Sequence, residues 1–200
     1  MKQYTVARVS SAPDWAQIEA VSVDEHLWLA PVPIAMTAQL CYDEARLYVR
    51  LCAREANIRA EHDAPMSMVC EDSCMEFFFT PDPDNLRYFN FEINPNGRTY
   101  IGLCRSNPDH VRLAPLDEDV LLQKRMQRTP DGWQACYSIP LDFIRLFFPD
   151  FSLRPGAVLR GNFYKCGDLT VQPHYIAWNR VDSSRPDFHL PEYFGLLTLA

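Results

Sequence analysis

The stretch from Asp72 to Cys104 holds the densest set of side chains able to do chemistry: Asp72, Glu76, Tyr88, Asn90, Glu92, Asn94, Arg98 and Tyr100. They alternate along strand-like runs with Met75, Phe77, Phe79, Phe89, Phe91 and Ile93. Because side chains alternate between the two faces of a strand, one face is apolar. The other gathers carboxylates, amides, a guanidinium and phenols. Planar groups of these kinds reach paired hydroxyls with two hydrogen bonds at once, and the charge-assisted bonds are the stronger ones. Tyrosine rings beside them cover apolar C–H surface. That chemistry suits a polyhydroxylated ligand held on a pre-formed surface. Two other readings stand beside it. Glu76 and Glu92 are a carboxyl pair of the kind that hydrolyses glycosides. A wet sheet face, with Glu92 and Arg98 in a weak surface ion pair, is the plain alternative.

Two hairpins must position these residues. With Pro81 to Asn85 as the first loop, Thr80 faces Leu86, Glu76 faces Asn90 and Cys74 faces Glu92. Pro95-Asn96-Gly97 reads as a three-residue turn with Gly97 at positive φ. Asn94 then faces Arg98, and Glu92 faces Tyr100. This register puts Met75, Phe77, Phe79, Phe89, Phe91, Ile93, Thr99, Ile101 and Leu103 in the core. A slip of one residue would turn a row of Phe outward, so the pattern selects the register.

Further strand runs are predicted at Ala35 to Tyr42, Ala45 to Arg54, Val120 to Gln127, Trp133 to Ile139, Val158 to Lys165 and Phe194 to Leu199. One short helix is predicted from Leu141 to Phe148, between Pro140 and Pro149. Sixteen prolines against seven glycines fit many strands joined by stiff loops. The expected fold is all-β, an antiparallel β-sandwich with one short helix, forming a single domain over residues 1–200.

The 48% apolar content, with twelve Phe and nine Tyr, describes a folded chain. A net charge of -7 without a cluster of Lys and Arg argues against nucleic acid and anionic membrane as partners. The amino terminus lacks the apolar run of a signal peptide, so the chain as written reads as cytoplasmic, or extracellular if a leader has been removed. The seven cysteines contain no C-x-x-C pair and read as buried free thiols in a reducing compartment. Cys74 with His174 as a nucleophile and base is weighed against a buried strand cysteine. His189 is read as fixing the last loop, and His174 as a neighbour of a sugar site near Trp178.

Several motifs carry a resemblance. Asp72-Ser73-Cys74-Met75-Glu76-Phe77-Phe78-Phe79 resembles the D-S-x-x-E-F/I-F strand of the family 9 carbohydrate-binding modules. Asn90-Phe91-Glu92-Ile93-Asn94, Gly132-Trp133 leading to Ile139-Pro140-Leu141, Gly161-Asn162-Phe163-Tyr164, Ala177-Trp178-Asn179 and Pro186 through Gly195 follow in the family's order. The resemblance implies a non-catalytic β-sandwich that holds terminal sugar residues of xylan or glucan type between two tryptophans. By motif, Glu76 matches the strand glutamate, Asn90, Glu92 and Asn94 match a polar triplet, and Trp178 matches the second tryptophan. The first tryptophan would fall at Cys70, and the triplet's central arginine is replaced by Glu92. Arg98 is the expected source of the missing guanidinium. The resemblance also implies a structural calcium, for which Asp82, Asp84 and Asn85 offer oxygens, although the spacing is not that of an EF-hand. The implied partner is a carbohydrate; apart from the resemblance, a protein-interaction or assembly module using an exposed sheet edge is a third reading, with a cytoplasmic glycosidase or self-association as the partner.

Overall fold

The computed structural model describes residues 1–106 and 108–200. Its strands are β1 (Gln3–Arg8), β2 (Val21–Val23), β3 (Glu25–His26), β4 (Ala35–Tyr42), β5 (Arg46–Arg54), β6 (Cys74–Thr80) and β7 (Tyr88–Ile93). The remainder are β8 (Thr99–Cys104), β9 (His110–Leu113), β10 (Arg125–Thr129), β11 (Gly132–Pro140), β12 (Val158–Cys166), β13 (Tyr175–Ala177) and β14 (Gly195–Leu199). Two short helices, α1 (Glu118–Leu122) and α2 (Leu141–Arg145), join the second half.

The strands form two layers joined at β1. One runs β9-β8-β7-β6-β12-β14-β1, and the other β10-β11-β5-β4. β1 is the hinge between them, pairing with β14 through Gln3 to Val6 and with β4 through Ala7 and Arg8. Both of these pairings are parallel, so the all-β sandwich is mixed at this one strand and not wholly antiparallel. Between the layers lies the main core, in which Phe77, Phe79, Phe89 and Phe91 meet Val49, Leu51, Tyr137 and Ile139. Each fully buried side chain of this size is worth roughly 1.5–3 kcal/mol.

The two layers differ on their outer faces. β5 alternates in burial along its length, with Leu47, Val49, Leu51 and Ala53 inward and Arg46, Tyr48, Arg50 and Cys52 outward. In β6 and β7 every residue is buried. A second apolar layer, including Leu27, Val69, Val181, Phe188 and Phe194, covers the outer face of that sheet. The face expected to be wet is therefore roofed by loops.

The core set expected from the alternation is the one observed. The first hairpin's register differs: Glu76 faces Glu92, and Phe78 faces Asn90. The connection runs from Pro81 to Arg87 and takes two residues more than expected, because Asn85 Oδ1 accepts the Arg87 N–H and holds Leu86 out in solvent. A shift of two preserves the faces. The second hairpin pairs as expected, with Glu92 against Tyr100.

Val120 to Gln127 is not one strand. Asp117 caps α1 by accepting from the Asp119 and Val120 amides, and Gln123 at φ 51° turns the chain into β10. The helix expected from Leu141 starts there and ends at Arg145, with turn bonds continuing to Phe148.

A polar cluster ties the layers together. Lys165 on β12 is fully buried, facing the interior beside Met75, and pairs with Glu55 at 3.3 Å. Glu55 also accepts from Trp133 Nε1 at 2.6 Å and from Ser73 Oγ at 2.8 Å. Removing one partner strands a buried charge, which costs about 3–5 kcal/mol, whereas replacing both by apolar groups can be neutral. Glu55→Ala is expected to lower the unfolding free energy measured by chemical denaturation by that amount, and Glu55→Ala with Lys165→Met to recover most of it. A single variant as stable as the wild type would remove the cluster from the account.

Candidate functional site

The roofed face contains a cavity of about 330 Å³. Its floor is a row that crosses three strands, Glu76 on β6, Glu92 on β7 and Tyr100 on β8, each directly opposite the next. Cys166 on β12 and Phe78 complete the floor. The walls include Trp28, Tyr175, Phe188 and His189, together with Cys70 and Asp168.

Trp28 follows β3 with φ of 59°. A bulky residue in the left-handed region is strained, and such residues concentrate at binding sites. Its indole N–H donates to the Ser183 carbonyl at 2.8 Å, and its ring sits 5.6 Å from Tyr175 and 5.5 Å from Phe188. The result is an aromatic wall standing over a carboxyl floor.

Glu92 is oriented from beneath. Asn90, fully buried, donates to Glu92 Oε1 at 2.6 Å while its own oxygen accepts from Cys104. Gly102 makes room for this amide: a Cβ there would lie 1.9 Å from Asn90 Oδ1. Burial lifts Glu92 to about 7, against the bond from Asn90 and the nearby Arg112. Glu76 accepts a bond from the Cys166 thiol at 2.9 Å, and burial, followed by the Glu92 charge, pushes it well above the usual carboxylate range. Burial raises Asp168 as well.

Of the residues expected at the site, Glu76, Glu92 and Tyr100 come together in the cavity, and Asn90 supports them from one step behind. Asn94 instead closes the β7–β8 turn: its amide nitrogen bonds His62 O and Asp72, and its oxygen accepts from the Arg98 amide. Arg98 turns away to Asp63 at 3.3 Å. The guanidinium nearest this row is that of Arg112 on β9, 4.2 Å over the Tyr100 ring and anchored on the Met66 and Ser67 carbonyls.

Trp178 is a correction. It is 2% exposed, lies in the main core against Phe163, and fills the space that Gly195 leaves vacant. The tryptophan that lines the cavity is Trp28. His174 is a second correction. It reaches Lys165 Nζ at 2.9 Å, and Lys165 points to the interior, on the opposite side of the sheet from the cavity. His189 fixes the last loop as expected, through Tyr88 and Phe78, and also lines the cavity. Cys70, at the position where the family resemblance places a tryptophan, lines it too. Cys74 is fully buried, its thiol pushed up to about 12 by burial, so it does not act as the exposed nucleophile considered with His174. Asp82 and Asn85 use side-chain oxygens to close this turn, accepting from the Asp84 and Arg87 amides.

Trp28 and Arg112 carry no periodic signal and were missed by the sequence reading. The one usable hint is the aromatic content of Leu27-Trp28-Leu29 ahead of a proline-rich loop.

A β-sandwich with one roofed face, an aromatic wall and a floor of oriented hydrogen-bonding groups defines a small-ligand binding module. The chain belongs to carbohydrate-binding family 9, whose model matches residues 8–199. A protein of Bacteroides uniformis described as carbohydrate-binding has the same fold, with a TM-score of 0.85 and 26% identity over 100% of this chain and 99% of that one. A family 9 module of Caldicellulosiruptor kristjanssonii in complex with glucose aligns with a TM-score of 0.73 at 15% identity, over 100% and 96% of the two chains. The same organism's module in complex with cellotriose gives 0.72 and 15%, over 99% and 93%. No curated protein matches the chain.

The place of His174 gives a pH prediction. Burial first, then Lys165, lowers it to about 4, with Gln172 O and Glu55 opposing and His26 adding to the shift. An unfolded histidine titrates near 6.5, so between those values the unfolded chain binds the extra proton. Stability from this group is complete above pH 6.5 and is lost as pH falls towards 4, by about 2 kcal/mol at pH 5. Chemical denaturation of wild type and His174→Gln at pH 7 and pH 5 is expected to show that much less pH loss in the variant. Equal losses would contradict the assignment.

Proposed function

We propose that the cavity holds one sugar residue, a free monosaccharide or the terminal unit of a glucan or xylan, and releases it unchanged. The observation that carries this reading is the wall of Trp28, Tyr175 and Phe188 beside a floor of Glu76, Glu92 and Tyr100 in one open-mouthed cavity. The wall takes the C–H face of the ring, and the floor takes hydroxyls. The volume, near the lower end for ligand pockets, suits a small unit better than a chain. Relatives captured with glucose and cellotriose support the same class of ligand.

Binding is favoured over hydrolysis by geometry. A glycosidase pair flanks the scissile bond from two sides. Glu76 and Glu92 are instead cross-strand neighbours on a single floor, so a sugar above them meets both carboxyls from one direction.

Calorimetric titration with glucose, xylose, cellobiose and xylobiose is expected to show saturable binding with the sugar recovered intact. An aromatic face contributes roughly 1–3 kcal/mol of stacking. Trp28→Ala is therefore expected to weaken binding by about tenfold or more while the fold stays intact, and Trp178→Ala to cost about 3–5 kcal/mol of stability. Unchanged affinity in Trp28→Ala, or no binding to any of the four sugars, would overturn the reading. Cleaved product would replace it with the hydrolase.

A further inference from the structure

Three acid-type ligand atoms meet at the back of the cavity. Cys74 on β6 and Cys166 on β12 are direct cross-strand partners, and Glu76 lies two residues beyond Cys74 on the same face. The two sulfurs and a Glu76 oxygen all lie within 4.8 Å of one another, and all three residues are buried. The Cys166 thiol is 2.9 Å from Glu76 Oε1. We propose that Cys74, Cys166 and Glu76 form a binding site for a thiophilic divalent cation of the zinc type, with its fourth coordination position open to the cavity.

Several independent features point to a cation here. The spacing suits one ion held by two sulfurs at ~2.3 Å and one carboxylate oxygen at ~2.0–2.2 Å. Thiolates select zinc-like ions over calcium or magnesium. The surroundings are acidic: Glu92 and Asp168 share the cavity, and Cys70 lines it beside the cluster. The nearest cations are committed elsewhere, Lys165 to Glu55 on the far side of the sheet and Arg112 to the Tyr100 ring and two carbonyls. Glu76 and Cys166 face the cavity, which supplies the entry path.

Loading is balanced as an exchange. One M²⁺ displaces the two thiol protons and forms two M–S bonds and one M–O bond to the Glu76 carboxylate. Water from the cavity takes the fourth position, and the displaced protons leave for solvent. No electron is transferred. The inference rests on this cluster alone and does not depend on the sugar reading.

The test uses full-length protein purified under reductant, cleared with chelator and titrated with cobalt(II) chloride. One equivalent is expected to give a near-ultraviolet thiolate-to-cobalt band and the visible bands of a four-coordinate site, both bleached by zinc. Zinc addition in weak buffer is expected to release the two thiol protons. Cys166→Ser and Cys74→Ser should each lose the thiolate band or weaken binding by at least ~10–100-fold, the range seen even for groups that only support a ligand. Glu76→Gln should keep the band and bind more weakly. Thermal melts of the metal-free variants check the fold. Three results would each overturn the proposal: no thiolate band at one equivalent, a band that persists in the Cys74→Ser/Cys166→Ser double variant, or five titratable thiols in denaturant instead of the seven of the sequence. The last would show the pair closed as a disulfide.

Discussion

Glu76 and Glu92 stand side by side on a sheet that is buried on both faces, and the rest of the structure answers to that constraint. Two carboxyls in one dry layer repel each other and lose their water, which is costly unless hydrogen bonds replace it. The fold supplies partial compensation: an amide from Asn90 for Glu92, a thiol from Cys166 for Glu76, and the Arg112 guanidinium near the rim. Even the backbone is fitted to this task, since Gly102 vacates the space in which Asn90 sits. A sheet that needed only stability would place threonine or valine at these positions. Local violations of that kind are concentrated where proteins work.

The architecture separates a structural half from a functional one. In the β10-β11-β5-β4 layer, β5 alternates between a buried inner row and a more accessible outer one. The other layer is covered by a roof tied down at discrete points: Trp28 to Ser183, Tyr164 to Phe188, Tyr193 to Asp182, and His189 to Tyr88. These ties enclose the cavity and give it an aromatic side. The motifs around Asn162, Trp178 and Gly195 serve the frame: Asn162 bonds Asn179, and Trp178 fills the space beside Gly195. An ion at the back of the cavity would add a positive charge where the fold has gathered acids.

Much of this was legible in the sequence, and the part that was not has a physical reason. The period-two rows of Phe and Tyr fixed the two faces of β6 to β8, because a wrong face would bury charge and expose aromatics. Turn chemistry at Gly97 gave the second hairpin's register, and its φ of 78° is the one expected. The first hairpin slipped by two because Asn85 lengthens the loop, a contact with no echo in the alternation. Val120 to Gln127 looked like a strand until the Asp117 cap claimed its first half for a helix. Trp28 and Arg112 reach the site from irregular or edge segments, where neither period nor spacing points inward. Trp178 misled in the opposite sense, since a tryptophan in a family motif looks the same in sequence whether it stacks on a ligand or packs against a glycine.

The central claim is that ligand enters between the Trp28 wall and the Glu92 floor, and not at Trp178. The chain has four tryptophans, each with one indole N–H to follow. Two-dimensional ¹H–¹⁵N NMR of the labelled protein, titrated with glucose and then cellobiose, reads them side by side. The account expects the Trp28 indole signal and the amides of Cys70, Glu92 and Tyr100 to shift along a saturable curve, with the Trp178 indole stationary. Shifts confined to Trp178, or to the outer face of the β10-β11-β5-β4 layer, would place the ligand elsewhere and contradict it.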